Sequence, residues 1–283
     1  VLSLIISSVL PFPLLAQEVE VFSNLGLYGG QIYTIAIDPS NPDKMFAGSY
    51  QGDGLFMTAD GGNRWQAVKT DVKIPGEDEF KNHAVYAVKM APSDPNVVWV
   101  AHNYWAEKST DGGQTWVHIR NSAMQRDCQN CGGAGDNFRF CKAIAVHPSD
   151  SQIVYVGARG PNGSNSSGAI YKTVDGGTTW TKINQGSNFD YPVVALDIDP
   201  NNPDIVWAAT SSVNAGTLYR SENGGETWTV VFSTNKGFYD VKVKPNNSNL
   251  IFTANKNGIF KHYFDHETGQ WNNEQILTGE ASD

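Results

Sequence analysis

A short motif that ends in tryptophan recurs along this 283-residue chain and constrains its fold more than any other feature. Each of four clear copies starts with Ser or Thr, has Asp or Asn two residues later, continues through two glycines and ends in Trp. The Asp or Asn and the Trp of these copies are Asp60 and Trp65, Asp111 and Trp116, Asp175 and Trp180, and Asn223 and Trp228. A degenerate fifth copy runs from Asp265 to Trp271. Regular recurrence of this kind indicates tandem copies of one small structural unit.

A second motif alternates with the first. It is an apolar strand that ends in a proline turn, and its prolines are Pro39, Pro92, Pro148, Pro200 and Pro245. Together the two motifs divide each unit into four short strands, which is typical of a propeller blade. The sequence therefore predicts an all-β fold, a β-propeller of four-stranded antiparallel blades with five blades visible. Their approximate bounds are residues 30–72, 83–121, 138–185, 192–234 and 238–279.

The tryptophan motif has the composition of a structural turn. Its Asp can accept hydrogen bonds from N–H groups of the turn, and its glycines allow positive φ. The Trp begins the outermost strand and can fill the space between neighbouring sheets. We therefore predict that all copies are scaffold and that none of their carboxylates is catalytic.

The first residues of the chain have a different composition. Residues 1–16 are apolar and uncharged, and two prolines interrupt them. They resemble the hydrophobic part of a signal peptide whose start is missing, so the propeller would occupy residues 17–283 of a secreted protein, extracellular, periplasmic or on the cell surface. A buried first strand is the alternative. No later stretch is long and apolar enough to span a membrane.

Charge and cysteine content narrow the choice of partners. The net charge is −9 and no cluster of Lys or Arg is present, which disfavours nucleic acid and anionic membranes as partners. The three cysteines, Cys128, Cys131 and Cys141, are disulfide candidates, and in an exported protein we expect one disulfide and one free thiol. A zinc site would need four ligands, so we predict neither a metal nor a cofactor.

The repeated pattern Ser/Thr-x-Asp-x-Gly-x-Thr-Trp resembles the Asp-box, or bacterial neuraminidase repeat, superfamily of β-propellers. That superfamily includes sialidases, xyloglucan-active glycoside hydrolases, sortilin-type receptor domains and photosystem assembly factors. The resemblance covers about residues 18–275 and is specific for fold more than for function. Three copies depart from the pattern: the first has Arg64 in place of Thr, the fourth has Asn223 in place of Asp, and the fifth is degenerate. Because the resemblance implies a ring of six or more blades, we expect an incomplete larger propeller with at least one further blade C-terminal to residue 283; a compact ring of five blades is the alternative.

Strand order predicts where a ligand would bind. The proline turns and the Asp-boxes lie at one end of each blade, so the loops between second and third strands and the connections between blades share the opposite face. Ligand sites on propellers form where such loops surround the axis. The candidate ligand-binding residues on these loops are Tyr50, Asn103, Tyr104, Trp105, Arg139, Arg159, Tyr191 and Tyr239.

The resemblance also implies possible enzymes. A sialidase needs three arginines around its ligand and is disfavoured here. Of the six arginines, Arg64 lies in an Asp-box and Arg220 just before one, on the face opposite the loops, and the chain lacks the Phe-Arg-Ile-Pro element of that family. A xyloglucanase-like inverting hydrolase would need two carboxylates across the bond, and Tyr50 stands where that family has a catalytic Asp. Weak catalytic candidates are Asp53, Asp136 and Asp190. The sequence therefore favours a module that binds a polysaccharide or an extracellular protein or peptide, with the glycoside hydrolase as the alternative.

Overall fold

A computed structural model of the chain describes residues 31–50, 54–68, 84–102, 106–119, 141–160, 167–184 and 189–278. These residues form twenty β-strands in five sheets, each with four antiparallel strands in chain order. The prediction of an all-β propeller with five visible blades is therefore confirmed. Residues 1–16 and the residues after 278 lie outside the described part of the chain.

Each blade is one sheet whose strands follow one another along the chain. Blade one has β1 Ile32–Ile37, β2 Met45–Ser49, β3 Leu55–Thr58 and β4 Gln66–Ala67. Blade two has β5 Val85–Ala91, β6 Asp94–His102, β7 Ala106–Ser109 and β8 Val117–Ile119. Blade three has β9 Ala143–Val146, β10 Val154–Arg159, β11 Gly168–Thr173 and β12 Thr181–Lys182. Blade four has β13 Val193–Ile198, β14 Val206–Thr210, β15 Gly216–Ser221 and β16 Thr229–Thr234. Blade five has β17 Phe238–Lys244, β18 Asn247–Asn255, β19 Gly258–Asp265 and β20 Gln270–Thr278.

The proline turns end the first strands through side-chain hydrogen bonds. Asp38 follows β1, and its Oδ1 accepts from the N–H groups of Ser40 at 2.8 Å and Asn41 at 3.1 Å. Asp199 follows β13 and accepts in the same way from the next two amides of its turn. The carboxylate satisfies N–H groups that the strand ladder can no longer pair, so the chain reverses at a fixed residue.

The apolar core lies between blades. The first strand of each blade packs against the first strand of the next, from β1 on β5 to β13 on β17. One apolar cluster fills each gap; that between blades one and two joins Phe46 to Val88 and Met90. Clusters of the same kind join blades two and three, three and four, and four and five.

Blade one differs from blade two in the burial of its first strand. Ile35 and Ile37 lie on one face of β1, and both are more than half exposed. The corresponding residues of blade two, Val88 and Met90, are buried against blade one. This face of a first strand meets the preceding blade, and no blade precedes blade one among the described residues.

Candidate functional site

The Asp-boxes occupy one face of the blades. In blade two, the Ser109 hydroxyl donates to Asp111 Oδ1 at 2.7 Å and accepts from the Gly113 N–H at 2.8 Å. Asp111 also accepts from both the backbone N–H and the hydroxyl of Thr115. These hydrogen bonds, that of the Thr115 hydroxyl first, lower the pKa of Asp111. The carboxylate is held ionised inside its own turn, which suits a structural anchor and not a general acid.

The boxes also hold successive blades together. Lys108 of β7 donates its ammonium to the Gly176 carbonyl of the blade-three box at 2.9 Å, and Lys172 of β11 donates to Gly224 of the blade-four box at 3.0 Å. Lys108 lies 5.3 Å from the ring of Trp99, which meets the blade-three box tryptophan, Trp180, edge to face. The Asp-boxes therefore contribute to the contacts between successive blades.

The opposite face, here called the loop face, carries a group of tyrosines. Tyr33 lies at the start of β1, Tyr50 directly follows β2 and Tyr86 lies at the start of β5. The rings of Tyr33 and Tyr50 are stacked, with centroids 4.9 Å apart and planes inclined by 23°. Tyr86 lies 6.0 Å from Tyr33 and 5.9 Å from Tyr50. The Tyr50 N–H donates to the Gln31 carbonyl at 2.9 Å, which ties the loop to the first strand.

Two cations extend this group into blade three. Lys142 immediately precedes β9 and places its ammonium 5.1 Å from the centroid of the Tyr86 ring. Arg159 ends β10, and both cations are half-buried. Burial, followed by the positive charge of Arg159, lowers the pKa of Lys142. We call Tyr33, Tyr50, Tyr86, Lys142 and Arg159 the tyrosine–cation cluster.

A second charged group lies on the axis. Lys242 of blade five lies 3.2 Å from the Asp240 carboxylate and 3.9 Å from that of Asp197 in blade four. Lys89 of blade two is close enough to interact with all three. Asp197 Oδ2 also accepts from the Val243 N–H at 2.8 Å. We call Lys89, Asp197, Asp240 and Lys242 the axial charge cluster, and its two carboxylates act as counterions of lysines.

The sequence-predicted residues separate into three groups. Tyr50 and Arg159 belong to the tyrosine–cation cluster, and Tyr239 is exposed at the start of β17. Asp190 is exposed and Tyr191 half-buried, and both interact with the buried Tyr219 of β15. The candidates outside the described residues are Asp53, Asn103, Tyr104, Trp105, Asp136 and Arg139.

Sequence reasoning missed Tyr33, Tyr86 and Lys142. A signal for them exists, because each stands six residues before the proline of its repeat, at Pro39, Pro92 and Pro148. In the sequence these positions read only as the first residue of an apolar strand. Aligning the repeats would have shown an aromatic or basic residue at the mouth of blades one to three.

The described residues bear on three further features: a disulfide, a metal site and a membrane-spanning helix. Cys141 is a completely buried free thiol whose pKa burial raises, so of the three disulfide candidates it is unpaired, while Cys128 and Cys131 lie outside the described residues. Within the described ranges, no three His, Cys, Asp or Glu side chains are grouped so as to hold a metal ion. No helix there is long and apolar enough to cross a membrane.

Known proteins are similar to this chain over part of their length. It is 29% identical to xyloglucanase Xgh74A of Acetivibrio thermocellus over 165 residues, which is 49% of this chain and 18% of that protein. It is 26% identical to a xyloglucanase of Hypocrea jecorina over 231 residues, 76% of this chain and 25% of that protein. The chain thus spans a quarter or less of the length of these relatives.

Fold similarity agrees with these matches. The crystal structure of the GH74 enzyme of Niastella koreensis superposes with a TM-score of 0.61 at 24% identity, covering 84% of this chain and 37% of that one. The sequence profile of the Sortilin-Vps10 family, described as sortilin, neurotensin receptor 3, matches residues 102–278. That match covers more than half of the chain, so the chain belongs to the Sortilin-Vps10 family of Asp-box propellers.

Proposed function

We propose that this chain is a secreted carbohydrate-binding module and that the tyrosine–cation cluster on its loop face is the binding site. The observation that carries the proposal is the stacked pair of Tyr33 and Tyr50, which stay 51% and 38% exposed on a surface without an Asp-box. Exposed aromatic rings that retain a hydroxyl suit ligands with both apolar and polar faces. A sugar ring has such faces, with C–H groups above and below and hydroxyls at its edge.

Further observations support this proposal. The curated relatives are xyloglucanases, which are named for a polysaccharide. Residues 1–16 have the apolar composition of a signal-peptide core, which fits export to where polysaccharides occur. Tyr50 and Tyr33 are anchored at strand ends, so they can receive a ligand with little loss of side-chain freedom.

Removing one exposed ring should weaken binding while leaving the fold intact. Tyr33→Ala and Tyr50→Ala should each raise the dissociation constant for a soluble polysaccharide about tenfold, as expected for the loss of about 1.4 kcal/mol. Affinity electrophoresis against xyloglucan, galactan and polygalacturonate would identify the ligand, and calorimetry would measure it. Tyr263→Ala is the matched control, because Tyr263 is also 38% exposed but lies in β19 of blade five. Equal losses in all three variants would contradict the proposed site.

Glycoside hydrolysis is the second candidate, favoured by the names of the relatives. Asp53 follows Tyr50 by three residues and is the carboxylate nearest in sequence to the proposed site. Release of reducing ends from xyloglucan, abolished by Asp53→Ala, would support a hydrolase. Binding without turnover would support the module.

A further inference from the structure

We infer that this chain associates with a second copy of itself, head to tail, through a face of blade five on one molecule and a face of blade one on the other. The outgoing flank is the face of blade five formed by Leu250, Phe252, Ala254, Ile259 and Lys261. The incoming flank is the face of blade one formed by Ile35, Ile37, Gly61 and Gly62. The contacts between successive blades inside the chain define what each flank fits. This inference is independent of the proposed carbohydrate-binding function, which uses the loop face.

The outgoing flank has an aromatic residue at the position that packs against a following blade elsewhere in the chain. Phe252 pairs with Lys242 and Lys261 across its sheet, which is the position that Trp207 occupies in blade four. Trp207 is completely buried and meets Trp271 of blade five edge to face, with ring centroids 5.0 Å apart. Phe252 is only half-buried. Its ring therefore stands where an aromatic side chain packs against the next blade.

The apolar neighbours of Phe252 follow the same rule. In blade four, Ile205, Ala209 and Leu218 are buried in the apolar cluster that blades four and five share. The residues in register with them on blade five are half-buried, and these are Leu250, Ala254 and Ile259. An apolar patch of this kind at the end of a repeat array requires a cap or a partner.

The incoming flank lacks the side chain that covers the other Asp-boxes. A Cβ on the second glycine of those boxes would lie 2.4–2.8 Å from a side chain of the preceding blade, at Gly113, Gly177 and Gly225. Around Gly62, the nearest described atoms belong to blade one itself, with Met45 Cε at 3.5 Å. Ile35 and Ile37 on the same blade are 56% and 55% exposed. Blade one therefore presents an Asp-box and an apolar strand face without the neighbour that both meet elsewhere.

The tryptophan of the first Asp-box differs from the others in a way that fits this open position. In blades two to four, the box tryptophan donates its indole N–H to the carbonyl of the second glycine at 2.9–3.1 Å, as Trp116 does to Gly113. Trp65 Nε1 is buried but makes no hydrogen bond within the part of the chain that the structure describes. The first box thus retains its fold and lacks one of the bonds found in boxes that a neighbouring blade covers.

Inside the chain, a lysine joins each of two second-and-third-strand pairs to the next Asp-box. Lys172 of blade three donates to the Gly224 carbonyl of the blade-four box at 3.0 Å. Burial lowers the pKa of Lys172, and Glu226 and Asp204 of blade four oppose this shift by favouring the charged form. The contact between blades therefore combines a charged hydrogen bond with nearby carboxylates of the following blade.

The two flanks carry the same charges. Lys261 pairs with Phe252 as Lys172 pairs with Tyr155, so it has the corresponding position on blade five. Asp43 corresponds to Asp204, because each accepts the N–H of the first box glycine at its carbonyl, at 3.0 and 2.8 Å. A second copy docked in the manner of blade four on blade three would bring the Lys261 ammonium to the Gly61 carbonyl and the Asp43 carboxylate. Lys261 now lies 3.6 Å from Glu274, an exposed pair that contributes little and can exchange.

The contact joins two different surfaces, so it is heterologous. Both flanks are exposed in the same molecule, which means that they do not cover each other there. A heterologous contact repeats head to tail and either closes into a ring or extends into a longer array. Inactivating one flank of a molecule should therefore leave its other flank able to bind.

The test uses this property. Phe252→Asp should inactivate only the outgoing flank and Ile35→Asp only the incoming flank, because a charge would be buried without a partner. Sedimentation velocity of the full chain would be measured from about 1 μM to about 100 μM. We expect the native chain to gain mass with concentration and each variant alone to remain monomeric. An equimolar mixture of the two variants should form a dimer and nothing larger, since each supplies the flank that the other lacks.

Two further variants complete the test. Lys261→Gln should weaken association about tenfold, because it removes a charged donor from the contact. Val213→Asp is the matched control, since Val213 is 88% exposed on blade four, and it should associate like the native chain. Melting temperatures distinguish loss of association from loss of fold.

Every other result overturns the inference. A native chain that stays monomeric would mean that something other than a second copy covers these flanks. Self-association of either Asp variant alone would indicate a symmetric contact or a different surface, and a monomeric mixture would exclude the pairing of the two flanks. Polysaccharide binding by the Asp variants should equal that of the native chain, so each of these failures leaves the proposed function intact.

Discussion

At the scale of single residues, the hydroxyl that opens each of the four clear Asp-boxes takes part in three hydrogen bonds at once, one of them the 3.3 Å bond that it accepts from the N–H of the Asp or Asn. Ser221 in blade four donates to Asn223 Oδ1 at 2.9 Å and accepts from the Gly225 N–H at 2.8 Å, as Ser109 does in blade two. The Asn of this box is tolerated because its Oδ1 still accepts the Thr227 N–H, while its Nδ2 donates to the Thr227 hydroxyl. The direction of one hydrogen bond reverses and the turn survives.

The opening hydroxyl is buried, and its loss should therefore lower the free energy of unfolding. Ser109→Ala would leave the buried Gly113 N–H without its acceptor and should lower the free energy of unfolding by about 2 kcal/mol. Ser109→Thr retains the hydroxyl, as Thr58 and Thr173 do in their boxes, and should be nearly neutral. Urea denaturation of both variants provides the measurement. A loss of similar size in the Thr variant would mean that packing and not the hydrogen bond is responsible.

Roles within a box could be predicted from the sequence because every partner lies within six residues. The tyrosine–cation cluster could not, since Tyr33, Tyr86 and Lys142 come from three different blades. Their proximity depends on how the sheets are placed around the axis, and alternation of apolar residues carries no information on that placement. Tyr50 and Arg159 were predicted because strand order alone places the loops between second and third strands on one face, and both residues belong to such loops.

At the scale of elements, the second strands of blades one to three each carry an aromatic residue that contacts the Asp-box of the next blade. Phe46, Trp99 and Tyr155 occupy this position in β2, β6 and β10, and each packs against the second glycine of the following box. The sequence showed both the aromatic and the box but not their contact, because the two belong to different sheets. The glycine pair is therefore required by the neighbouring blade as well as by its own turn.

Two glycines with similar backbones allow these requirements to be separated. Gly113 has φ +96°, and a Cβ there would lie 2.5 Å from Phe46 Cζ, whereas Gly269 has φ +68° and open space around it. Gly269→Ala should lower the free energy of unfolding by only about 1 kcal/mol, the usual effect of positive φ on a residue with a Cβ. Gly113→Ala adds a clash with a buried ring and should cost about 3 kcal/mol or more. Thermal unfolding of the two variants would measure the difference, and equal losses would exclude the proposed contact between blades.

At the scale of the whole molecule, the axial charge cluster joins blades that are not consecutive. Lys89 belongs to blade two, Asp197 to blade four, and Asp240 and Lys242 to blade five. Lys89, Asp197 and Lys242 each stand three residues before a repeat proline, so a charged position in an apolar strand was visible in the sequence. The sign of each charge was also visible in the sequence. The contact between these side chains was not, because it requires the first strands to converge on one axis.

The two lysines of this cluster should have opposite effects on stability. Burial, followed by the charge of Lys242, lowers the pKa of Lys89 to about 8, although Asp197 and Asp240 favour its charged form. Between pH 8 and 10.5 the unfolded chain therefore binds more protons at Lys89 than the folded chain, and stability rises with pH across this window. Lys89→Met should raise the free energy of unfolding at neutral pH by about 2 kcal/mol, and this gain should shrink as the pH approaches 10.5.

Lys242 should have the opposite effect on the free energy of unfolding. Burial alone would lower its pKa, but Asp197 and Asp240 outweigh burial and raise it, and the side chain remains 47% exposed to solvent. The charged Lys242 side chain therefore stabilises the fold fully below the ordinary pKa of lysine. This stabilisation is lost only as the pH rises through the raised pKa of the folded state. Lys242→Met should therefore destabilise the fold at neutral pH, with no recovery between pH 7 and 9. Urea unfolding of both variants across this pH range compares the two changes in the free energy of unfolding. Stabilisation by both substitutions would mean that the two carboxylates do not offset the cost of burying the Lys242 ammonium.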